Sequence, residues 1–270
     1  KGQLTHALEF FIKAYNADNQ DVHILHFIST VYFELDQPDS GKVFAVKLIE
    51  LDPEDPRGFI NSALAEMNKN QFQEAVNILL AVVDTFKSEY AIQYLLGNAF
   101  YQQKNNEEAL IFLNRALNIS PNSRNVLHTL AIIHDAMLLW PKSDSLYVNL
   151  INSDSTDAQA YNNYAYSLVE RDERLEFALQ IAMQAITLAP KNAAYLDTYG
   201  WILFKLGKND DALNYIQHSI ELENTNGVVL EHLGDVLMRV NRKNDALEYY
   251  RKALEFDNNN DTLKYKAFPE

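Results

Sequence analysis

His23 and His26 stand three residues apart, a spacing that places two imidazoles on one helix face within reach of a shared metal ion. No Asp, Glu or Cys accompanies them at a recognisable metal-site spacing, so the pair reads as two surface histidines and no metal is expected. His128 and His134 are six apart and belong to different helix faces. His134 falls in an apolar column, where a hydrogen-bonded, packed histidine fits better than a catalytic base. His6, His218 and His232 have no evident partners. The acidic pairs Glu107-Glu108 and Asp210-Asp211 invite a general acid–base reading. Their phase, however, puts them at the start of helices, where a carboxylate meets the positive end of the backbone dipole. No glycine-rich phosphate loop, nucleophile elbow or HExxH motif occurs. The expectation is no catalytic residue, no cofactor and no enzyme activity.

Composition narrows the partners. The chain has 270 residues, 47% hydrophobic and 22% charged, enough apolar material for a large interior. A net charge of −14 repels phosphate backbones and anionic headgroups, which argues against nucleic acid and membrane surfaces. The absence of cysteine removes disulfides, thiolate nucleophiles and cysteine-ligated zinc. Residues 75–83 form one of the longest largely apolar stretches, far short of the ~18 residues that span a bilayer, so direct membrane insertion is not expected. No signal peptide is visible, and the first residue is Lys rather than Met, which leaves room for an upstream region or a lost export signal.

The elements that position these residues follow from a 34-residue period. One column of small residues reads Ala7, Gly41, Ala75, Ala109, Ser143, Ala178, Ala212 and Ala246, with a single gap of 35 before Ala178. A second reads Ser29, Ala63, Gly97, Ala131, Ala165, Gly200 and Gly234. A looser third reads Ala14, Leu48, Val82, Ala116, Leu150, Ala185, Ser219 and Ala253, and Pro53, Pro121 and Pro190 recur at one phase. Each period holds two helices. Residues 90–102 carry Leu96, Gly97 and Phe100 at helical spacing, a polar break follows at 103–106, and 107–117 form a second helix with Ala109, Leu113 and Ala116. Short side chains where helices cross let their axes approach to about 8–10 Å, and Gly97 is expected to face Ala109. One hairpin cannot bury its apolar face alone; stacked neighbours can.

The pattern Leu96-Gly97, Phe100, Ala109, Leu113, Ala116 and Pro121 resembles the tetratricopeptide repeat. Residues 196–201 and 206–213 look like repeats of bacterial members, and the extra residue near 171–175 is similar to a variant of exported or lipid-anchored ones. The resemblance implies an all-α fold, a right-handed superhelical α-solenoid of stacked antiparallel hairpins. The count is seven full repeats, about 22–55, 56–89, 90–123, 124–157, 158–192, 193–226 and 227–260. Residues 1–19 read as the second helix of a truncated repeat, whose apolar stripe implies at least one more helix upstream, and 261–270 as a terminal cap or tail. Three departures mark looser units: Gly41 where Ala is usual, Glu66 where an aromatic is usual, and His134 in the same slot. Pro141 stands at the start of a second helix, where proline costs little.

In this family the first helix of each hairpin lines the concave surface, and the resemblance places ten residues there. They are Tyr94, Asn98 and Tyr101, His128, Asn162 and Tyr166, Asp197 and Trp201, and Glu231 and Asp235. Such a mixture of aromatics, amides and acids suits a protein or peptide ligand. The slots of the basic clamp that grips chaperone C-termini carry Tyr94, Asn98, Thr129, Gln159 and Asn163, so no such clamp is expected. Asp197, Glu231 and Asp235 against Lys205 and Arg239 lean the C-terminal part towards basic or neutral ligands. The resulting reading is a non-catalytic interaction scaffold, monomeric or weakly self-associating, in a bacterial cell envelope rather than the cytoplasm. The alternatives are a regulatory or substrate-presenting arm of a larger enzyme, or a self-associating structural module.

Overall fold

The computed structural model describes residues 2–269, and among these all regular structure is helical. The chain divides into two compact units that meet in sequence at Leu139 and Trp140. The first unit holds α1 (Gly2–Ala17), α2 (Val22–Glu34), α3 (Pro38–Leu51), α4 (Pro56–Asn68), α5 (Phe72–Leu80), α6 (Tyr90–Gln102), α7 (Asn106–Ile119) and α8 (Arg124–Ala136). The second holds α9 (Trp140–Ser153), α10 (Ala158–Glu170), α11 (Leu175–Leu188), α12 (Ala193–Lys205), α13 (Asn209–Leu222), α14 (Gly227–Arg239), α15 (Lys243–Leu254) and α16 (Asp261–Ala267).

The packing order is the same in both. Within the first unit α2 pairs with α3, α4 with α5 and α6 with α7, and each second helix also touches the next first helix. First helices additionally meet one another, α2 on α4, α4 on α6 and α6 on α8. In the second unit α10 pairs with α11, α12 with α13 and α14 with α15, with α10 on α12 and α12 on α14. Each unit is thus a stack of antiparallel hairpins. The small columns are its spine: Ala63, Ala75, Ala109, Ala131, Ala165, Ala178, Ala212 and Ala246 are all fully buried. Gly97 works as expected but against a different neighbour. A Cβ there would lie 2.5 Å from Leu113 Cγ, one turn beyond Ala109, so it is Leu113 that the glycine admits.

Two further columns emerge that the apolar pattern does not display. Asp21, Asp55, Glu89, Asp157, Asn192, Asn226 and Asn260 each cap a helix, their side chains accepting from backbone N–H groups of the first turn. Between first and second helices, Asp36, Asn70, Lys104, Leu138, Asp172, Gly207 and Asn241 all adopt positive φ, reversing the chain in a tight turn. The inserted residue near 171–175 is absorbed by a second left-handed residue, Arg174 at φ 49°. Pro141 lies in the first turn of α9, and the acidic pairs 107–108 and 210–211 occupy the first turns of α7 and α13.

One helix departs from the period. α3 and α7 each run fourteen residues, but α5 stops after nine and residues 81–88 form irregular turns. Val82, Val83 and Thr85 are β-branched and stiff at χ1, and Asp84 competes for backbone hydrogen bonds, so the segment is a weak helix former. Val82 of the third column therefore lies past the end of its helix.

Candidate functional site

The face that α6 presents combines aromatic and amide groups. Tyr90 and Tyr94 stack with ring centroids 5.6 Å apart, and the Tyr90 hydroxyl lies 2.7 Å from Ser123 Oγ. Asn98 Nδ2 donates to the carbonyl of Tyr94 at 3.0 Å, which holds the amide along the helix surface. Tyr94, Asn98 and Tyr101 are all half-buried. On α8 the expected contact His128 is only 7% exposed, whereas Ile132 and Asp135 are half-buried.

The first-helix residues of the second unit divide in the same way. Tyr166 of α10 is exposed, at 36%, but Asn162, Asp197 and Trp201 are 8%, 5% and 8% exposed. Trp201 is the centre of a polar and aromatic stack. Its indole lies flat on the ring of His232, centroids 3.9 Å apart, and stacks on Phe204 at 5.0 Å. Its Nε1–H donates to Glu170 Oε1 at 3.1 Å. Nδ1 of His232 sits 3.1 and 3.0 Å from the two oxygens of Asp197, which requires the ring proton on that nitrogen. The arrangement ties α10, α12 and α14 together.

Glu231 and Asp235 are likewise engaged. Lys266 Nζ of α16 reaches Glu231 Oε1 at 2.8 Å and both oxygens of Asp235 at 2.8 and 2.9 Å, and the Tyr250 hydroxyl donates to Asp235 Oδ1 at 2.8 Å. Burial pushes the Tyr250 hydroxyl far up, reinforced by the Asp235 carboxylate that accepts its proton. Burial works to lower the Lys266 pKa, but its hydrogen bonds to Asp235 and Glu231 prevail and hold it above the ordinary value.

The histidine pair belongs to a polar seam instead. Arg57 Nη1 donates to His23 Nδ1 at 3.0 Å, and Asn61 Nδ2 donates to His26 Nδ1 at 3.0 Å. Burial, then the Arg57 guanidinium, holds His26 below its ordinary value, so the seam favours the neutral ring. Among the described residues no group of three or more His, Cys, Asp or Glu side chains is gathered to hold a metal. Glu66, on α4, is 2% exposed and meets Lys42 Nζ at 2.5 Å and Lys69 Nζ at 3.3 Å. Burial pulls its pKa up, but the hydrogen bonds from the two lysines outweigh that and leave it below the ordinary carboxylate range.

Sequence reading thus missed His232, Glu170 and Lys266. The pairs Asp197–His232 and Glu231–Lys266 are each 35 residues apart, and Trp201–Glu170 are 31 apart. Partners one period away, on adjacent first helices, were the available signal.

The chain is 30% identical over 126 residues to the type IV pilus assembly protein PilF of Pseudomonas aeruginosa, a match covering 46% of this chain and 50% of that protein. It spans about half the length of that relative. The solved structure of P. aeruginosa PilF superposes with a TM-score of 0.57 at 26% identity, over 66% of this chain and 80% of that one. A tetratricopeptide repeat protein from Parabacteroides merdae superposes with a TM-score of 0.74 at 14% identity, over 91% and 97% of the two chains, a likeness of fold. No described helix is long and apolar enough to cross a membrane. The tetratricopeptide repeat pattern fits residues 60–124 and 133–268, the second stretch being half of the chain, and with the stacked hairpins and their small-residue spine this chain belongs to the tetratricopeptide repeat family.

Proposed function

We propose that the chain is a non-catalytic scaffold that holds a protein or peptide segment against its first helices, in an envelope assembly of bacterial type. The observation that carries this reading is the face of α6, where Tyr94, Asn98 and Tyr101 are half-buried rather than absorbed into the core. Aromatic rings supply anchoring area at low entropy cost, and amides pair with a ligand backbone. Tyr166 offers a comparable anchor in the second unit. His128, Asn162, Asp197 and Trp201 act in this reading as supports that fix the helices presenting those anchors. With Asp197 hydrogen-bonded to His232, and Glu231 and Asp235 paired with the Lys266 ammonium, these acids are occupied within the chain, so a neutral ligand segment fits better than a strongly basic one. The likeness to a type IV pilus assembly protein over 126 residues supports the envelope assignment.

The test is capture of a partner on the purified chain, its identification, and titration of the purified partner by calorimetry. The triple variant Tyr94→Ala, Tyr101→Ala, Tyr166→Ala, checked for unchanged helical circular dichroism, should bind at least about tenfold more weakly. Equal affinity of a correctly folded triple variant removes these tyrosines as docking anchors.

A further inference from the structure

Asn226 and Gly227 are the single Asn-Gly pair of the chain. They stand where α13 leads into α14, and residues 223–226 are all exposed and adopt no regular structure. In six other connections the residue before the helix, Asp55, Glu89, Ser123, Asp157, Asn192 or Asn260, donates its N–H to the carbonyl three residues back and closes a turn. Asn226 makes no such bond to Glu223.

Asn226 is therefore held at its side chain and its carbonyl. Its Oδ1 accepts from the Val228 N–H at 3.0 Å, and its backbone oxygen accepts from the Leu230 N–H at 3.2 Å. The Gly227 N–H, in the first turn of α14, has no hydrogen-bond acceptor among the described residues. Glycine also adds no Cβ to shield that nitrogen. Asn192 and Asn260 cap their helices through the same side-chain oxygen, but each sits in a closed turn and precedes Ala193 or Asp261.

We propose that Asn226 is a site of spontaneous deamidation, its rate set by release of the α14 cap. At ψ 110° the Gly227 nitrogen lies on the far side of the Cα–C bond from the Asn226 side chain. The cap bond must break and ψ must rotate before the two meet. The Gly227 nitrogen then attacks Cγ and gives up its proton, and the side-chain nitrogen leaves as ammonia. The resulting succinimide takes up one water at either carbonyl, giving aspartate or isoaspartate. The net change is amide plus water to carboxylate plus ammonium, with no oxidant or reductant. Aspartate restores the cap, as Asp21, Asp55 and Asp157 provide it at the same phase of other repeats. Isoaspartate adds a methylene to the main chain where Gly227 fits closely, since an added Cβ there would lie 2.9 Å from Phe256 Cβ. It therefore loosens the start of α14.

The experiment ages the purified full chain at mildly alkaline pH and follows each asparagine by peptide mass spectrometry, with chromatographic separation of aspartate from isoaspartate. Asn226 should deamidate at least about tenfold faster than Asn192 or Asn260, and give both products. Gly227→Ala should slow the reaction at Asn226 by a similar factor. Wild type and variant are also compared in concentrated urea, which keeps the glycine test independent of folding. The proposal is overturned if Asn226 in the native chain reacts no faster than Asn192 and Asn260. It is equally overturned if aspartate forms without isoaspartate, or if Gly227→Ala leaves the rate in urea unchanged.

Discussion

Individual residues show where type alone misleads. Gly41 sits in a column where alanine is usual, and helix propensity alone gives alanine an advantage of about 1 kcal/mol. In place, an added Cβ would meet the Phe33 ring and lie 2.9 Å from the carbonyl oxygen of Ser29, whose Oγ already donates to the Gly41 carbonyl. Gly41→Ala should therefore lower stability, by about 1–2 kcal/mol, measured as a shift in the urea midpoint. Glu66 likewise replaces an expected aromatic, and Lys42 and Lys69 pair with its carboxylate. His26 gives a pH dependence whose sign follows from its depressed pKa. Below the ordinary value of 6.5 the unfolded chain takes up a proton that the folded seam refuses. The contribution of His26 is thus complete above that pH and falls as pH drops towards its folded pKa. Asp55 is held low chiefly by its hydrogen bonds from Arg57, and its contribution, like that of Glu66, is lost at still lower pH. Thermal unfolding between pH 7.5 and 5.5 should show the midpoint decline, and His26→Gln, which keeps an acceptor for Asn61, should flatten it.

Among the elements, the hairpin turns are the most uniform feature and contain one anomaly. Six of the seven positive-φ positions between first and second helices carry Asp, Asn, Lys or Gly; the seventh is Leu138, at φ 58° and 68% exposed. A branched apolar side chain in the left-handed region costs roughly 1–2 kcal/mol, and asparagine relieves part of that. Leu138→Asn should raise the stability of the first unit by about 0.5–1 kcal/mol, read from hydrogen exchange of α8 and from the unfolding midpoint. α5 shows the converse. Its column position at 82 matches the period, yet a β-branched run ends the helix early.

At the scale of the molecule, a net charge of −14 sets a background of self-repulsion on which the paired lysines act locally. Salt screens exposed charges over about 10 Å at 0.1 M. The thermal midpoint should therefore rise by a few degrees as NaCl increases from 20 to 150 mM, and a flat or falling midpoint would show that the ion pairs outweigh the repulsion. The period, the helical hairpins and the family were determined by the sequence alone, because small residues at every crossing are demanded by backbone approach and recur at fixed spacing. The placement of the acidic pairs in helix first turns was equally legible. Which of the phase-matched residues remain accessible was not. Tyr94 and Trp201 occupy neighbouring helical phases, and only packing decides that one stays half-buried beside Tyr90 while the other lies flat on His232. The tertiary structure also selected the ion partners, since Glu231 and Lys266 meet only when adjacent hairpins stack, and side-chain reach across a helix pair is not encoded in a local pattern.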